Sequence, residues 1–430
     1  MATRGSTVGR SDTLRVALVV PDYRFDWTDD EEFGLSNLRE RCQLGEVDLV
    51  VFPEGYIQGS PDDVEDLVKD LGTAILAGIT HEAGFELAVY RNPRAGRDET
   101  AEHLYVKHST ARCLAYDWPG YAGPADRMFD PIRIKGHAIG VLICHDMFLG
   151  LPVHLERTRG ATMFVDISGG DVNEAKWTNV VRGRSVELDS PFLCTMARRG
   201  GTGKALALAY SGLHRYKPRH DSTGAATRGG FSIIEVEADA LGVADGADQA
   251  YTDKAYADIT IALGTRADAD ISITAVGGQI TVVSKHPGLR PRGAWIEVTA
   301  PVGRVGILPV AVERIDDGTL LHREDLGAEA FDHYIVAYVG ASSRSHSELL
   351  AIAKLRAIEH RVGVVIFTGA VREALKTNRY KNIQRFVEHQ GRFGLNAEFL
   401  GGVWSTASGT PTQGIPRDRF GKYRELLVRP

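Results

Sequence analysis

Seven short apolar runs set the limits on what the first 264 residues can become. They are "LRVALVV", "VDLVVFP", "TAILAGI", "AIGVLIC", "ATMFVDIS", "PFLCTMA" and "FSIIEVE". Most are continuous rather than alternating, the pattern of strands covered on both faces. Amphipathic stretches such as "EEFGLSNLRERCQL" and "VHLERTRG" lie between them. Strands alternating with helices predict an α/β architecture.

A chain of 430 residues exceeds the usual single core, so two domains are expected. The composition shifts abruptly at "GTRADAD", residues 264–270, which sets the domains at 12–264 and 265–430. The second domain is predicted as a smaller, β-rich then βαβ unit. "ISITAVGGQITVVS" alternates like a hairpin about Gly277 and Gly278, and "GAWIEVTAPVGRVGILPVAVERI" extends the β-rich stretch. "HYIVAYVGASSRSHSELLAIAKLRAIEHRVGVVIFTGA" then reads as strand, loop, helix and strand, with Ser345 or Ser347 placed to cap the helix. That loop contains neither GxGxxG nor GxxxxGK[ST], so it reads as a capped turn rather than a nucleotide loop. No internal repeat is legible.

Hydrophobic residues make up 43% of the chain and charged residues 25%, ordinary values for a soluble globular protein. No apolar stretch approaches the roughly 18–20 residues that cross a bilayer, and "MATRGSTVGRSDT" has no secretory apolar core. Cys42, Cys113, Cys144 and Cys194 are widely spaced, without a CxxC pair. That argues against a disulfide framework or structural zinc and points to a reducing cytoplasm. The net charge is −6, yet residues 361–430 carry 12 Lys/Arg against 5 Asp/Glu. The basic amphipathic stretch 375–394 is expected to dock through Arg379, Lys381 and Arg385 on acidic protein surface, with Tyr380 or Phe386 adding apolar contact. A nucleic acid is the competing occupant.

The chemistry gathers at "GVLICHDMF", where an apolar run delivers Cys144 with His145 and Asp146 directly behind it. A buried cysteine can be simple packing, but one at a strand-to-helix turn can also be a nucleophile. Two other runs end in polar residues: "VVFPEGY" in Glu54 and "EHLYVKHST" in Lys107. A carboxylate can take the thiol proton during attack, and a fixed cation can stabilise the charge that develops on the substrate. Two other cysteines read as packing, Cys42 on the first helix and Cys194 in the core of "PFLCTMA". His214 and His220, in "HRYKPRHD", resemble a metal pair only loosely and read as a surface loop.

With Glu54, Lys107 and Cys144 in this order and context, residues 12–264 resemble the nitrilase, or carbon–nitrogen hydrolase, superfamily. "FVDISGG", "KWTNVVRGRSVEL" and "RGGFSIIEVEADALG" match its flanking motifs, whereas residues 265–430 match no family. The resemblance implies an α-β-β-α sandwich and an amidase or nitrilase type of reaction on a small amide or nitrile. It implies a Cys144 thioester, no cofactor, no membrane, and a homo-oligomer formed through the sandwich. The backbone N–H of His145 is the expected second oxyanion donor, and Asp146 is expected to orient the turn. No glutamate lies between Lys107 and Cys144, where the family usually has one, so Asp117 or Asp126 would have to support the lysine. Ala197 stands where an asparagine is expected. Two other uses of such a site stay open: acyl transfer from the same thioester, or a degraded module for binding or regulation.

Overall fold

The computed structural model describes residues 13–21, 35–81, 86–107, 128–148, 150–170, 174–197, 206–223, 229–237, 259–261, 271–276, 279–284, 289–292, 295–300, 303–316, 333–340, 343–360 and 363–368. The first part of the chain runs β1 (Thr13–Pro21), α1 (Leu35–Gln43), β2 (Leu49–Val51), β3 (Ile57–Gly59), α2 (Val64–Leu71), β4 (Ala74–His81), β5 (Glu86–Arg91) and β6 (Glu102–Val106). It continues through β7 (Ile132–Ile134), β8 (His137–Ile143), α3 (Gly150–Thr158), β9 (Met163–Gly169), α4 (Glu174–Leu188) and β10 (Pro191–Ala197). The last strands of this part are β11 (Leu206–Ser211), β12 (His214–Arg215), β13 (His220–Asp221) and β14 (Gly229–Glu237).

These strands form two sheets. One has the order β13-β14-β1-β2-β4-β5-β6, with β3 paired to β4, and the other β12-β11-β10-β9-β8-β7. Their centres, β1-β2-β4 and β8-β9-β10, are parallel. Parallel strands need crossover helices, and these cover the outer faces. On β1, Ala17 and Val19 pack outward with Leu38 and Cys42 of α1 and Val64 and Val68 of α2. Val16 and Leu18 of the same strand turn inward, into one core with Val141, Ile143, Val165 and Leu193 of the second sheet. A strand buried on both faces leaves no place for alternating polar residues, which is why the run reads as continuous. On the far side, α3 packs on β8, and α4 on β10 and β11. The result is the α-β-β-α sandwich that the resemblance implies.

The second part of the chain contributes β15 (Ile259–Ile261), β16 (Ile271–Val276), β17 (Gln279–Ser284), β18 (Leu289–Arg292), β19 (Trp295–Ala300), β20 (Gly303–Ala311), β21 (His333–Gly340), α5 (His346–His360) and β22 (Gly363–Thr368). β15-β16-β17 form a three-stranded sheet, so residues 259–261, inside the 12–264 span expected for the first domain, pair with the second part, and β18-β19-β20-β21-β22 form a five-stranded one. β21, α5 and β22 are a parallel βαβ unit. A reciprocal capping box starts α5: the Ser345 N–H donates to Glu348 Oε2 at 2.6 Å, and the Glu348 N–H to Ser345 Oγ at 3.3 Å. α5 lies against α4. No helix among the described residues is long and apolar enough to cross a membrane. The 264–270 boundary and the basic stretch 375–394 lie outside the described residues.

Candidate active site

Three strand ends bring Glu54, Lys107 and Cys144 together. Glu54 follows β2, where the Phe52 N–H donates to the Leu76 carbonyl at 2.8 Å and ties the segment to β4. Gly78 of β4 lets that segment approach: a Cβ there would lie 2.3 Å from the Pro53 carbonyl oxygen and 2.5 Å from Glu54 Cα. Lys107 leaves β6, its N–H donating to the Glu86 carbonyl at 3.0 Å. The Lys107 ammonium donates to Glu54 Oε1 in a buried ion pair. The charge of the same glutamate acts on the Cys144 thiol and, after burial, raises it most.

Cys144 sits where β8 gives way to a short 3₁₀ turn, Cys144–Phe148. Its φ is +56°, in the left-handed region that a side chain adopts at a cost. This kink turns the chain off the sheet and leaves the sulfur at the strand tip, beside Glu54 and Lys107. Strain of this kind persists where the surrounding structure holds it, and it concentrates at functional sites.

The three residues are 4%, 7% and 5% exposed, in the order Glu54, Lys107 and Cys144, so their charges interact with little screening by water. Burial, followed by the neighbouring Glu54 charge, raises the Cys144 thiol well above its ordinary value, and Lys107 pulls it partly back. Burial alone would lower the Lys107 ammonium, but Cys144 and Glu54 outweigh it and the lysine is held above its ordinary value. Burial and Glu54 thus favour the thiol over the thiolate, and a thiol needs a base to react.

Asp146 is fully buried and accepts a hydrogen bond from the Tyr105 hydroxyl at 3.0 Å. Its charge is among those that raise Lys107, so a carboxylate two residues after the cysteine supports the lysine. Asp117 and Asp126 lie outside the described residues. The His145 ring has Nδ1 3.4 Å from the Cys144 sulfur. It stacks on Phe148 at 4.9 Å and meets Trp177 edge-on at 6.1 Å. Arg184 of α4 donates through Nε to the Met147 carbonyl at 2.7 Å, holding the turn from behind.

Asp166 of β9, not among the residues expected at the site, is fully buried beneath it. Burial raises its carboxyl well above the ordinary range, opposed by hydrogen bonds from Ser168 and Cys194, the latter at 3.4 Å. The available signal was a lone acid inside the apolar run "MFVDIS". Cys194 is a core residue whose thiol is bonded to Asp166, and Cys42 is buried against the first sheet. His214 and His220 lie on strands of different sheets, and no group of three metal-ligating side chains occurs among the described residues. A cleft of about 890 Å³, lined by Arg94, Arg97, Glu99, Arg133 and Lys135, reaches His137 at the start of β8, the opposite end from Cys144.

No family model and no curated protein matches the chain. Solved structures do. A carbon–nitrogen hydrolase from Helicobacter pylori G27 is similar at 16% identity and a TM-score of 0.40, over 53% of this chain and 91% of that one. A variant of the Nesterenkonia AN1 amidase, of the nitrilase superfamily, is similar at 16% and 0.40, over 55% and 95%. The C. elegans NitFhit protein is similar at 14% and 0.39, over 54% and 63%.

Proposed function

We propose that this protein is a thiol-dependent hydrolase of a non-peptide carbon–nitrogen bond, acting on a small amide or nitrile through Cys144. The observation that carries this reading is the buried Glu54–Lys107 ion pair, whose charges act on Cys144, at a strand tip where the cysteine takes a left-handed backbone. A packing cysteine needs neither the strain nor the charged neighbours; Cys194 has an ordinary strand backbone.

For an amide, Glu54 takes the thiol proton as the sulfur attacks the carbonyl carbon. Lys107 and the backbone N–H of His145 stabilise the oxyanion that forms. Glu54 then returns the proton to the nitrogen as the carbon–nitrogen bond breaks, and the amine leaves behind a thioester. Water attacks the thioester, giving one proton to Glu54, which passes it to the departing thiolate. One water is consumed, and an acid and an amine are formed. Burial favours the thiol over the thiolate, which is the reason a base is needed, and Glu54 is the carboxylate whose charge acts on it. Asp146 and Tyr105 position the lysine side of the site.

Ammonia release from a panel of short-chain amides and nitriles tests this reading. Turnover of at least one member by the wild type, absent in Glu54→Gln and in Cys144→Ala, is expected. Equal turnover by Cys144→Ala would refute it.

A further inference from the structure

The two parts of the chain share a plan that few sequence identities betray. Adding 172 to a residue number in β9, α4 and β10 gives its counterpart in β21, α5 and β22. The helix bounds coincide under this shift, Glu174–Leu188 with His346–His360. The strand register coincides as well: Phe164↔Phe192 becomes Val336↔Val364. A shift of 168 carries β8 onto β20, so that Ile139↔Met163 becomes Ile307↔Ile335. Each of these strands is preceded by an antiparallel partner, β7 or β19, and followed by a 3₁₀ turn, Cys144–Phe148 or Val312–Arg314. A second sheet backs each copy, eight-stranded behind the first and three-stranded behind the second, with β5 and β6 against β8, and β16 and β17 against β21 and β20. Val312 stands where Cys144 stands.

The contact between the copies is reciprocal. Arg184 pairs with Glu187 at 2.5 Å and with Glu359 at 3.0 Å, and its Nε donates to the Met147 carbonyl. Its counterpart Arg356 pairs with Glu359 at 2.5 Å and with Glu187, and its Nε donates to the Ile315 carbonyl, the counterpart of Met147. All four side chains are buried. Val186 of α4 packs into the second core and Leu355 of α5 into the first. Residue i touching j′ while j touches i′ is the signature of a two-fold interface.

We propose that residues 271–368 are a second copy of the nucleophile-bearing half of the sandwich. This copy has no nucleophile and serves as a built-in partner that holds Arg184, and through it the turn behind Cys144. Arg184 and Glu359 are positioning residues in this scheme. One position explains why the partner is built in rather than recruited. Gly183 and its counterpart Leu355 face each other, and a Cβ on Gly183 would lie 2.8 Å from Leu355 Cβ and 3.0 Å from the Ala351 carbonyl oxygen. A knob meets a hole. Two α4 helices would bring two holes together and two α5 helices two knobs, so α4 is matched to α5 and not to another α4. The α4 face is therefore occupied within the chain, and any homo-oligomer uses a different surface.

Melting temperature of the full chain tests the docking independently of any activity. Alanine is a better helix former than glycine, so on an uncovered helix Gly183→Ala would raise the melting temperature. Docking predicts that it lowers it by several degrees, and that the same change made on Leu355→Ala is neutral or stabilising. A rise in the wild-type background, or an equal fall in both, would overturn the docking. The positioning role rests on the proposed reaction and has two readouts. Arg184→Lys, and Glu359→Gln where it folds, are expected to lower kcat tenfold or more with KM within about twofold. They are also expected to speed iodoacetamide labelling of Cys144, because a loosened turn uncovers a thiol that is 5% exposed. Unchanged kcat and unchanged labelling would refute positioning while leaving docking intact. Failure of the wild type to turn over any substrate would refute the proposed function, and the labelling would still judge the turn.

Discussion

The turns at Cys144 and Val312 occupy the same place in two copies of one plan, yet their backbones differ. Cys144 has φ +56°, whereas Val312 is not among the described residues with positive φ and follows an extended Ala311 at φ −61°, ψ 134°. Around Cys144 lie Glu54, Lys107 and Asp146. Val312 is instead part of an apolar core with Leu308, Val310, Ile315 and Tyr338. Among the described residues, no strand of the second part precedes β15, so nothing there corresponds to β2, which delivers Glu54. The contrast separates what the fold requires of this turn from what the chemistry requires. Both copies keep the 3₁₀ turn and the arginine that holds its carbonyl. Only the copy with the thiol keeps the strained backbone and the charges.

The largest effect that could break this contrast is on turnover. Cys144→Ala is expected to lower kcat by about 10³ or more, and Val312→Cys added to it is expected to restore nothing, because a thiol without base and cation is unactivated. Recovered hydrolysis in that double variant, measured as amine release, would erase the distinction between the copies.

Next in size is the Arg/Glu cluster that both turns share. Removing one member of a buried ion-pair network costs about 3–5 kcal/mol, so Glu187→Gln should unfold at clearly lower denaturant. Burial alone would raise the Glu187 carboxyl, but Arg356 and Arg184 hold it well below the ordinary range. A depressed native value means the stabilisation is fully present above the unfolded value of about 4.3 and is lost as pH falls through the native value. Wild type and Glu187→Gln should therefore differ most above about pH 4.3 and converge only in stronger acid. Convergence already at pH 6 would contradict the cluster's charge state.

A smaller effect sharpens the backbone comparison. Glycine relieves a left-handed position by about 1–2 kcal/mol and weakens an ordinary one by about 0.5–1 kcal/mol. Glycine should therefore be more stable than alanine at 144, and alanine more stable than glycine at 312, as read by thermal melts of the four variants. Alanine more stable than glycine at 144 would contradict the strain at Cys144, and glycine more stable at 312 would contradict the contrast between the turns.

The smallest concerns Cys194. Trimming this core thiol to alanine is expected to cost about 1–2 kcal/mol, with kcat within twofold of wild type.

Much of this was legible in the sequence because burial on both faces writes itself as continuous apolar runs. All seven runs quoted at the outset form strands. Glu54 and Cys144 stood out because each closes such a run, whereas Lys107 closes the half-exposed β6. β5, β7 and β11 were not picked out. β7 is only three residues long, and β11, "LALAYS", is built from residues that favour helices and becomes a strand only by pairing with β10. The repeat escaped because counterparts need only equal burial: Trp177 and Leu349 are both core, as are Met147 and Ile315. What survives of it in sequence is R-x-x-E in "RSVE" and in "RAIE", a motif too short to stand out until the two helices are seen to exchange partners. The support that Asp146 gives Lys107 was hidden for another reason. It depends on Tyr105 and on how the turn folds back, and neither is a matter of sequence spacing.

The proposed reaction requires Cys144 to become covalently acylated. Wild-type protein quenched in acid during turnover of an amide substrate, then digested and mapped by mass, tests it directly. The acyl mass is expected on the peptide containing Cys144, absent in Cys144→Ala, and accumulating when water attack is outpaced at early times. Turnover with no adduct at Cys144 under any quench, or an adduct on Cys42 or Cys194 instead, would contradict the account.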